Sequence, residues 1–306
     1  MKKTALLAAI LIVLALFWAV PAFSGTIPAS LVPESARWVV HLDMEKFVTT
    51  GLYGLLNKDG KFEVKSRDLN RWVKMDLVKD VKSVTVFGLG AGDNDIVFAV
   101  AGNLDKAGII ALAEADKDGQ KTAYGAYTVY STDSDERGAF INDRLLVFSE
   151  GQAALEKVLD TAGGKAKDFN GTPLSASLKD VPSTAFLSGV LPDLSGLGKG
   201  IKQSKVFEKA QGLFFLAQEK QDALQVRLQV TADSPESAKN MADVVQGFIA
   251  MAKLGGDQED MARISSLLEG IQFKVDGKVF RLDFERPTKD IADLLSKGQG
   301  LHGLLD

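Results

Sequence analysis

Residues 270–285, GIQFKVDGKVFRLDFE, decide the fold of this 306-residue chain. The stretch contains two β-rich runs on either side of Asp276-Gly277, a dipeptide typical of type I′ turns, and so predicts a β-hairpin. Ile291, Leu294 and Leu295 follow at helical spacing and predict a closing helix. A hairpin whose apolar side is covered by a helix is a building block of α+β folds.

The same pattern occurs once more, nearer the start of the chain. A hairpin is predicted over Gly138–Ser149, folded at Asn142-Asp143, and a helix follows it. A shift of 134 to 136 residues lays turn on turn and brings three apolar positions of the two helices together (Leu155, Val158 and Leu159 on Ile291, Leu294 and Leu295). We therefore predict an α+β fold of two tandem related units, each an antiparallel sheet with helices packed on one face. The alternative is two ordinary α+β domains that look alike because hairpins and helices are common.

The predicted domain boundaries follow from this repeat. The first α+β repeat occupies residues 25–163 and the second residues 182–306. Between them, residues 164–181 are rich in Gly, Lys, Ser and Pro and have no apolar period, which indicates a linker.

The first 24 residues have the pattern of a secretory signal peptide. A positive start at Lys2-Lys3 precedes sixteen apolar residues from Ala5 to Val20, and Ala22-Phe23-Ser24 fits the small-x-small cleavage rule. We expect an exported protein, periplasmic or secreted, whose mature chain begins at Gly25 and keeps no stable membrane span. The alternative is an uncleaved N-terminal anchor, because the apolar stretch is long enough to cross a bilayer.

Composition excludes several classes of function. The chain has no cysteine, so disulfides, zinc–thiolate sites and thiol nucleophiles are ruled out. Without residues 1–24 it carries 34 basic and 40 acidic residues, a net charge of −6, which opposes nucleic-acid binding. No cofactor, metal site or catalytic motif is predicted, and the sequence does not indicate an oligomeric state.

Histidine chemistry depends on His41, since the only other histidine is His302 near the C terminus. Strand alternation places His41 and Asp43 on one face of a strand, with Trp38, Val40 and Leu42 on the other. We take the tryptophan side as the core side, which makes His41 a surface or hydrogen-bonded structural residue. A His–Asp pair with a catalytic role is the alternative.

Two acidic clusters, at residues 93–95 and 133–136, fall in predicted turns. Aspartate and asparagine are favoured there because they bind local backbone, and neither cluster has the spacing of a twelve-residue calcium loop.

One segment has a charge opposite to that of the chain. Between Lys61 and Lys82 there are seven basic and four acidic residues. This segment belongs to the first repeat and has no counterpart in the second. It is either a solvated helical face or a surface for an anionic partner of the cell envelope, with a tryptophan as apolar anchor. The candidate binding residues are Lys65, Arg67, Arg71, Trp72 and Lys74.

These observations favour an exported, non-enzymatic envelope protein that acts as a binding or structural module, with an envelope protein or anionic ligand as partner. An exported hydrolase that uses carboxylate acid/base chemistry is the alternative, because paired carboxylates leave no reliable spacing in a sequence.

Overall fold

The structure is a computed structural model that describes residues 30–58, 78–90, 92–117, 119–132, 136–192, 207–252 and 268–296. It is a mixed α/β structure with a large antiparallel sheet and several helices. Contacts divide the described residues into two compact units, residues 30–190 and residues 191–296.

The first unit contains eight of the described strands, and each neighbouring pair is antiparallel. Their order across the sheet is β8-β1-β2-β3-β7-β6-β5-β4. The strands are β1 (Trp38–Asp43), β2 (Val81–Gly88), β3 (Ile96–Gly102), β4 (Gln120–Tyr124), β5 (Tyr127–Ser131), β6 (Arg137–Asn142), β7 (Leu145–Ser149) and β8 (Ala185–Leu191).

Five helices of the first unit are described: α1 (Met44–Phe47), α2 (Gly51–Leu56), α3 (Lys106–Glu114), α4 (Gln152–Ala162) and α5 (Pro173–Leu178). Side-chain oxygens of Asp43, Thr50, Asp105 and Thr172 accept a backbone N–H in the first turn of α1, α2, α3 and α5, which fixes where these helices begin. In α4 the buried residues recur at helical spacing, so that one side of the helix packs against β3, β6 and β7.

Helices lie on both faces of this sheet. Tyr124 of β4 donates to Asp160 of α4, whereas the neighbouring Lys121, on the opposite face, binds Glu114 of α3. The prediction of helices on one face is therefore wrong for the first unit. The reason is that the central strands bury large apolar side chains on both faces, such as Val86 and Phe87 of β2, so each face requires cover.

The prediction for β1 is also corrected. Val39, His41 and Asp43 are all buried, whereas of the predicted core residues only Leu42 is buried and Trp38 and Val40 are half-buried. Asp43 caps α1, and the Phe47 ring of that helix packs on Phe186 of β8, 5.4 Å between ring centroids. The helix thus turns back over the histidine face of the sheet, a contact that strand alternation cannot reveal.

The sequence predicts a linker at residues 164–181, but these residues are part of the first unit and pack within it. The backbone N–H of Phe169 donates to the carbonyl of Val32, and Phe169 and Leu174 are buried. β8, which opens the predicted second repeat, pairs with β1. The predicted boundaries at 163 and 182 therefore do not coincide with the division between the units after Val190.

The second unit has four described strands in the order β11-β12-β10-β9, namely β9 (Ala210–Lys220), β10 (Ala223–Ala232), β11 (Ile271–Asp276) and β12 (Val279–Pro287). Its described helices are α6 (Pro235–Ala252) and α7 (Thr288–Ser296). α6 buries Met241 and Val245 against Val230, Phe280 and Leu282 of the sheet. The opposite face of β10 and β12 carries a ladder of polar contacts, in which Asp283 is bound by Arg227 and Arg281.

The hairpin of residues 270–285 is confirmed, but its predicted turn type is wrong. Asp276 pairs with Val279, so the two loop residues are Gly277 and Lys278. Only Gly277 has a positive φ, 53°, which is the φ pattern of a type II′ turn rather than of type I′. The type I′ pattern occurs instead between β9 and β10, where Gln221 and Asp222 have φ values of 52° and 60°.

Among the helices of the described ranges, none combines the length and the apolar character that crossing a membrane requires.

Candidate binding cleft

The five candidate binding residues from the sequence, Lys65, Arg67, Arg71, Trp72 and Lys74, lie outside the described residues. The prediction of an anionic partner at this segment therefore stays a prediction. Near its end, Lys82 is described, and its ammonium group forms an ion pair with Glu45 at 2.7 Å.

His41 lies in a buried polar row that crosses three strands. Its Nδ1 is 2.9 Å from the hydroxyl of Thr85, and Ser188 is its backbone neighbour on β8. Asp43 accepts from the backbone N–H of Lys46 and forms an ion pair with the Lys46 ammonium at 2.6 Å. The sequence thus predicted a hydrogen-bonded histidine, but it took the opposite face of β1 as the core side.

The acidic turn at residues 93–95 binds its own backbone. Asp95 accepts a hydrogen bond from the N–H of Gly92, 3.2 Å between the heavy atoms, as aspartates in turns commonly do. Residues 133–135 of the second acidic cluster lie outside the described residues. Within the described ranges there is no group of three or more His, Asp or Glu side chains placed to hold a metal ion.

An open cleft of about 550 Å³ lies between the β4–β5 hairpin and the first half of α4. The register pairs Thr122 with Val129 and Val129 with Ala139, so that these side chains share the sheet face that α4 covers. The hairpin turns at Gly125, whose φ of 58° is the left-handed conformation that glycine adopts without strain. Among the described strands β4 is the last of the sheet, and the cleft lies at this edge.

Most of the cleft wall is polar and uncharged. The amides of Gln120 and Gln152 and the hydroxyl groups of Thr122, Ser131 and Thr132 line it, and each of these groups both donates and accepts hydrogen bonds. The apolar residues of the wall are Ala123, which is exposed, and Val129 and Leu155, which are buried.

Two opposite charges lie in the cleft, and each has a partner. Arg137 donates through Nη1 to the carbonyl oxygen of Glu150 at 2.7 Å. Glu156 accepts from the Gln152 amide at 2.7 Å. These contacts hold both side chains at defined positions along the wall.

Tyr124 forms the wall shared by the cleft and a smaller cavity of about 100 Å³ beside it. Its hydroxyl donates to Asp160 at 3.0 Å, and the Lys165 ammonium lies 3.7 Å from the same carboxylate and 6.0 Å from the tyrosine ring centroid. The hydrogen bond to Asp160 is the main reason that the pKa of Tyr124 is raised above its usual value, with desolvation and the negative charge adding to the effect.

Sequence reasoning missed this cleft because it missed β4. Gln120, Lys121, Thr122 and Ala123 are all exposed, so the strand has no apolar alternation to reveal it. Gly125, between two tyrosine-containing runs, was the available signal for a hairpin turn.

No family model matches the chain, and no curated protein matches it either. Two solved structures, crystal forms III and IV of TP0453, resemble it with TM-scores of 0.51 at 8% sequence identity. The similarity covers 89% of this chain and 99% and 97% of those chains. At this identity the likeness shows the fold alone, a mixed α/β structure with a large antiparallel sheet.

Proposed function

We propose that the protein is an exported binding module of the cell envelope and that its ligand enters the cleft between the β4–β5 hairpin and α4. The observation that carries this proposal is the cleft itself. Its volume of about 550 Å³ lies within the range of about 300 to 1,000 Å³ that is usual for small-molecule sites. Its wall also combines a buried apolar part with several convergent polar groups.

The two carboxylates beside the cleft, Asp160 and Glu156, are both held by neighbouring side chains, which supports binding rather than catalysis. Asp160 is bound by the Tyr124 hydroxyl and by the Lys165 ammonium, and Glu156 is bound by Gln152. A carboxylate held in this way is suited to positioning its neighbours. A general acid or base must instead exchange a proton with the substrate.

The carboxylate hydrolase remains the second candidate, because Glu156 and Asp160 are four residues apart on α4. This spacing places them on one side of the helix, and they line adjoining cavities. A hydrolase would convert the bound molecule, and the Glu156→Gln variant would bind it without converting it.

Thermal unfolding in the presence of deproteinised envelope fractions tests the cleft. Thr122→Trp fills the cleft, whereas the control Thr128→Trp places the same side chain on the other face of the neighbouring strand. A fraction that contains ligand at 100 times its dissociation constant should stabilise the parent and the control by about 2.7 kcal/mol, and Thr122→Trp much less. Equal stabilisation of both variants would place the ligand elsewhere, and no stabilisation by any fraction would contradict the proposal.

Export is part of the proposal and has its own test. Intact-mass measurement of protein recovered from an exporting host should give a chain that begins at Gly25. Retention of residues 1–24 in a membrane fraction would favour the N-terminal anchor.

The basic segment at residues 61–82 is proposed as a second contact surface, for an anionic partner. The combined change Lys65→Glu, Arg67→Glu and Arg71→Glu should reduce retention of that partner, and added salt should reduce it in the parent. Unchanged retention at every salt concentration would leave the segment as a solvated helical face.

We also propose that the chain arose by internal duplication. In the first unit, β3 is followed by a helix, the β4–β5 hairpin and the β6–β7 hairpin, and β3 pairs with β7, the second strand of the last hairpin. In the second unit, β10 is followed by a helix and the β11–β12 hairpin, and β10 pairs with β12, again the second strand. The shared feature is this pairing of a strand with the second strand of a later hairpin, and it supports the tandem repeat predicted from the sequence; the β4–β5 hairpin is additional in the first unit. A superposition of the two repeats that failed to align these strands would oppose it.

A further inference from the structure

We infer that the cleft binds a neutral, polyhydroxylated ligand, a short saccharide. This inference rests on the proposed binding function and names the chemical class of the ligand. It depends on the hydrogen-bonding groups, the charge and the apolar part of the cleft wall.

The hydrogen-bonding groups suit hydroxyl groups better than anions. Gln120 and Gln152 each present an amide oxygen beside an amide NH₂, and Thr122 and Ser131 present hydroxyl groups. A sugar hydroxyl also donates and accepts, so it can pair with every one of these groups. A phosphate or carboxylate only accepts, and it would leave the amide oxygens facing a negative charge.

The charge of the cleft also favours a neutral ligand. Arg137 and Glu156 contribute one charge of each sign to the wall. An anion attracted by Arg137 would be repelled by Glu156, and a cation would meet the reverse arrangement. Arg137 already donates to the Glu150 carbonyl and has another contact besides, so its guanidinium group is engaged within the protein.

The ring of Tyr124 gives a place for the C–H face of a sugar ring at one end of the cleft. Val129 and Leu155 are almost fully buried and form the floor beneath the polar groups. The hydrogen bond from Tyr124 to Asp160 holds that ring in position before any ligand arrives. A preorganised ring binds with a smaller loss of side-chain entropy.

An extended peptide is the competing occupant, because β4 is the edge strand of the sheet in the part of the chain that the structure describes. The register pairs Tyr124 with Tyr127 across a two-residue loop, so the backbone groups of Lys121 and Ala123 point away from β5. A peptide that added a strand there would bind mainly through backbone atoms and would not require the cleft side chains.

Selective chemical destruction of the ligand tests the inference. The deproteinised envelope fraction that raises the melting temperature is divided into aliquots treated with sodium periodate, with phosphatase or with a peptidase, and each reagent is then quenched. Periodate cleaves the vicinal diols of sugars, so it should abolish the shift, while phosphatase and peptidase should leave it unchanged. Binding to an array of neutral oligosaccharides should then change less than twofold between low and high salt.

Variants link this result to the cleft. Gln120→Ala removes one exposed amide and should weaken saccharide binding by about tenfold, the equivalent of one hydrogen bond. Thr122→Trp should abolish binding, and Thr128→Trp should retain it. A shift that survives periodate but is lost after peptidase treatment would overturn the saccharide and favour the peptide. A periodate-sensitive shift that is the same in both tryptophan variants would instead contradict the cleft and, with it, the proposed function.

Discussion

Replacement of Thr85 by valine should reveal how much the buried histidine contributes to the first unit. The hydroxyl of Thr85 lies 2.9 Å from His41 Nδ1, and the two residues are only 1% and 6% exposed. Valine keeps the shape of threonine but removes the hydroxyl. Since the imidazole then loses a buried hydrogen-bond partner, we expect the free energy of unfolding to fall by about 1–3 kcal/mol.

The interaction itself is isolated by a double-mutant cycle. His41 has contacts besides Thr85, so His41→Leu alone measures more than this bond. In the His41→Leu background, Thr85→Val should cost less than about 0.5 kcal/mol, because the imidazole that needed the hydroxyl is gone. The difference between the two costs is the coupling energy, about 0.5–3 kcal/mol for residues in contact.

Urea denaturation followed by tryptophan fluorescence is the assay. The three tryptophans are Trp18, Trp38 and Trp72, so after removal of residues 1–24 no tryptophan signal comes from the chain after Val190, which contains the second unit. Thr122→Val is the matched control, since Thr122 is exposed and should change stability by no more than about 0.5 kcal/mol. If Thr85→Val costs the same with and without the histidine, the two side chains do not interact and the account of this buried row is refuted.

Gly247→Ala should raise the free energy of unfolding by about 1 kcal/mol, because Gly247 lies inside α6 and an added methyl group meets no atom within 4 Å; a decrease in urea denaturation would contradict this. Gly151→Ala should lower stability, since its new Cβ would overlap the backbone carbonyl of Asn94, and an unchanged denaturation midpoint would show that the turn yields. Ultraviolet titration should show Tyr124 ionising above its usual pKa of 10.0, and Asp160→Asn should lower that pKa. Because the folded-state pKa is raised, the stability from this contact is present below pH 10.0 and is lost as the pH rises through the folded-state value, so the two proteins should differ in stability at neutral pH and converge at high pH.

The sequence predicted the strands whose residues carry a clear apolar signal. β2 and β3 follow the β-branched runs on either side of a glycine-rich turn, and the hairpin of residues 270–285 forms where its pattern indicates. It could not predict which face of β1 is covered, because alternation defines two faces and only the return of α1 over the sheet distinguishes them. The same limit applied to residues 164–181, where two isolated apolar residues, Phe169 and Leu174, pack without any period.

The sequence could not predict the cleft either, because its wall comes from residues that only the folded chain brings together. Thr122 and Leu155 are far apart in the chain, and the pairing of β4 with β5 and the packing of α4 bring them to one cavity. Residue types such as threonine and glutamine on an exposed strand are indistinguishable from an ordinary solvated surface. What the sequence did indicate correctly is a hydrogen-bonded role for His41.

The turn at Gln221 and Asp222 has a consequence for the order in which the chain acquires its structure. It joins the longest strand of the described chain, the eleven residues of β9, to the ten residues of β10 through a loop of only two residues. Loop closure of that length loses little entropy, and hairpins of this kind form in about 1–10 μs. Yet both turn residues are left-handed without being glycine, which costs about 1–2 kcal/mol each. We therefore expect an Asn-Gly pair at these two positions to make closure of this hairpin more favourable.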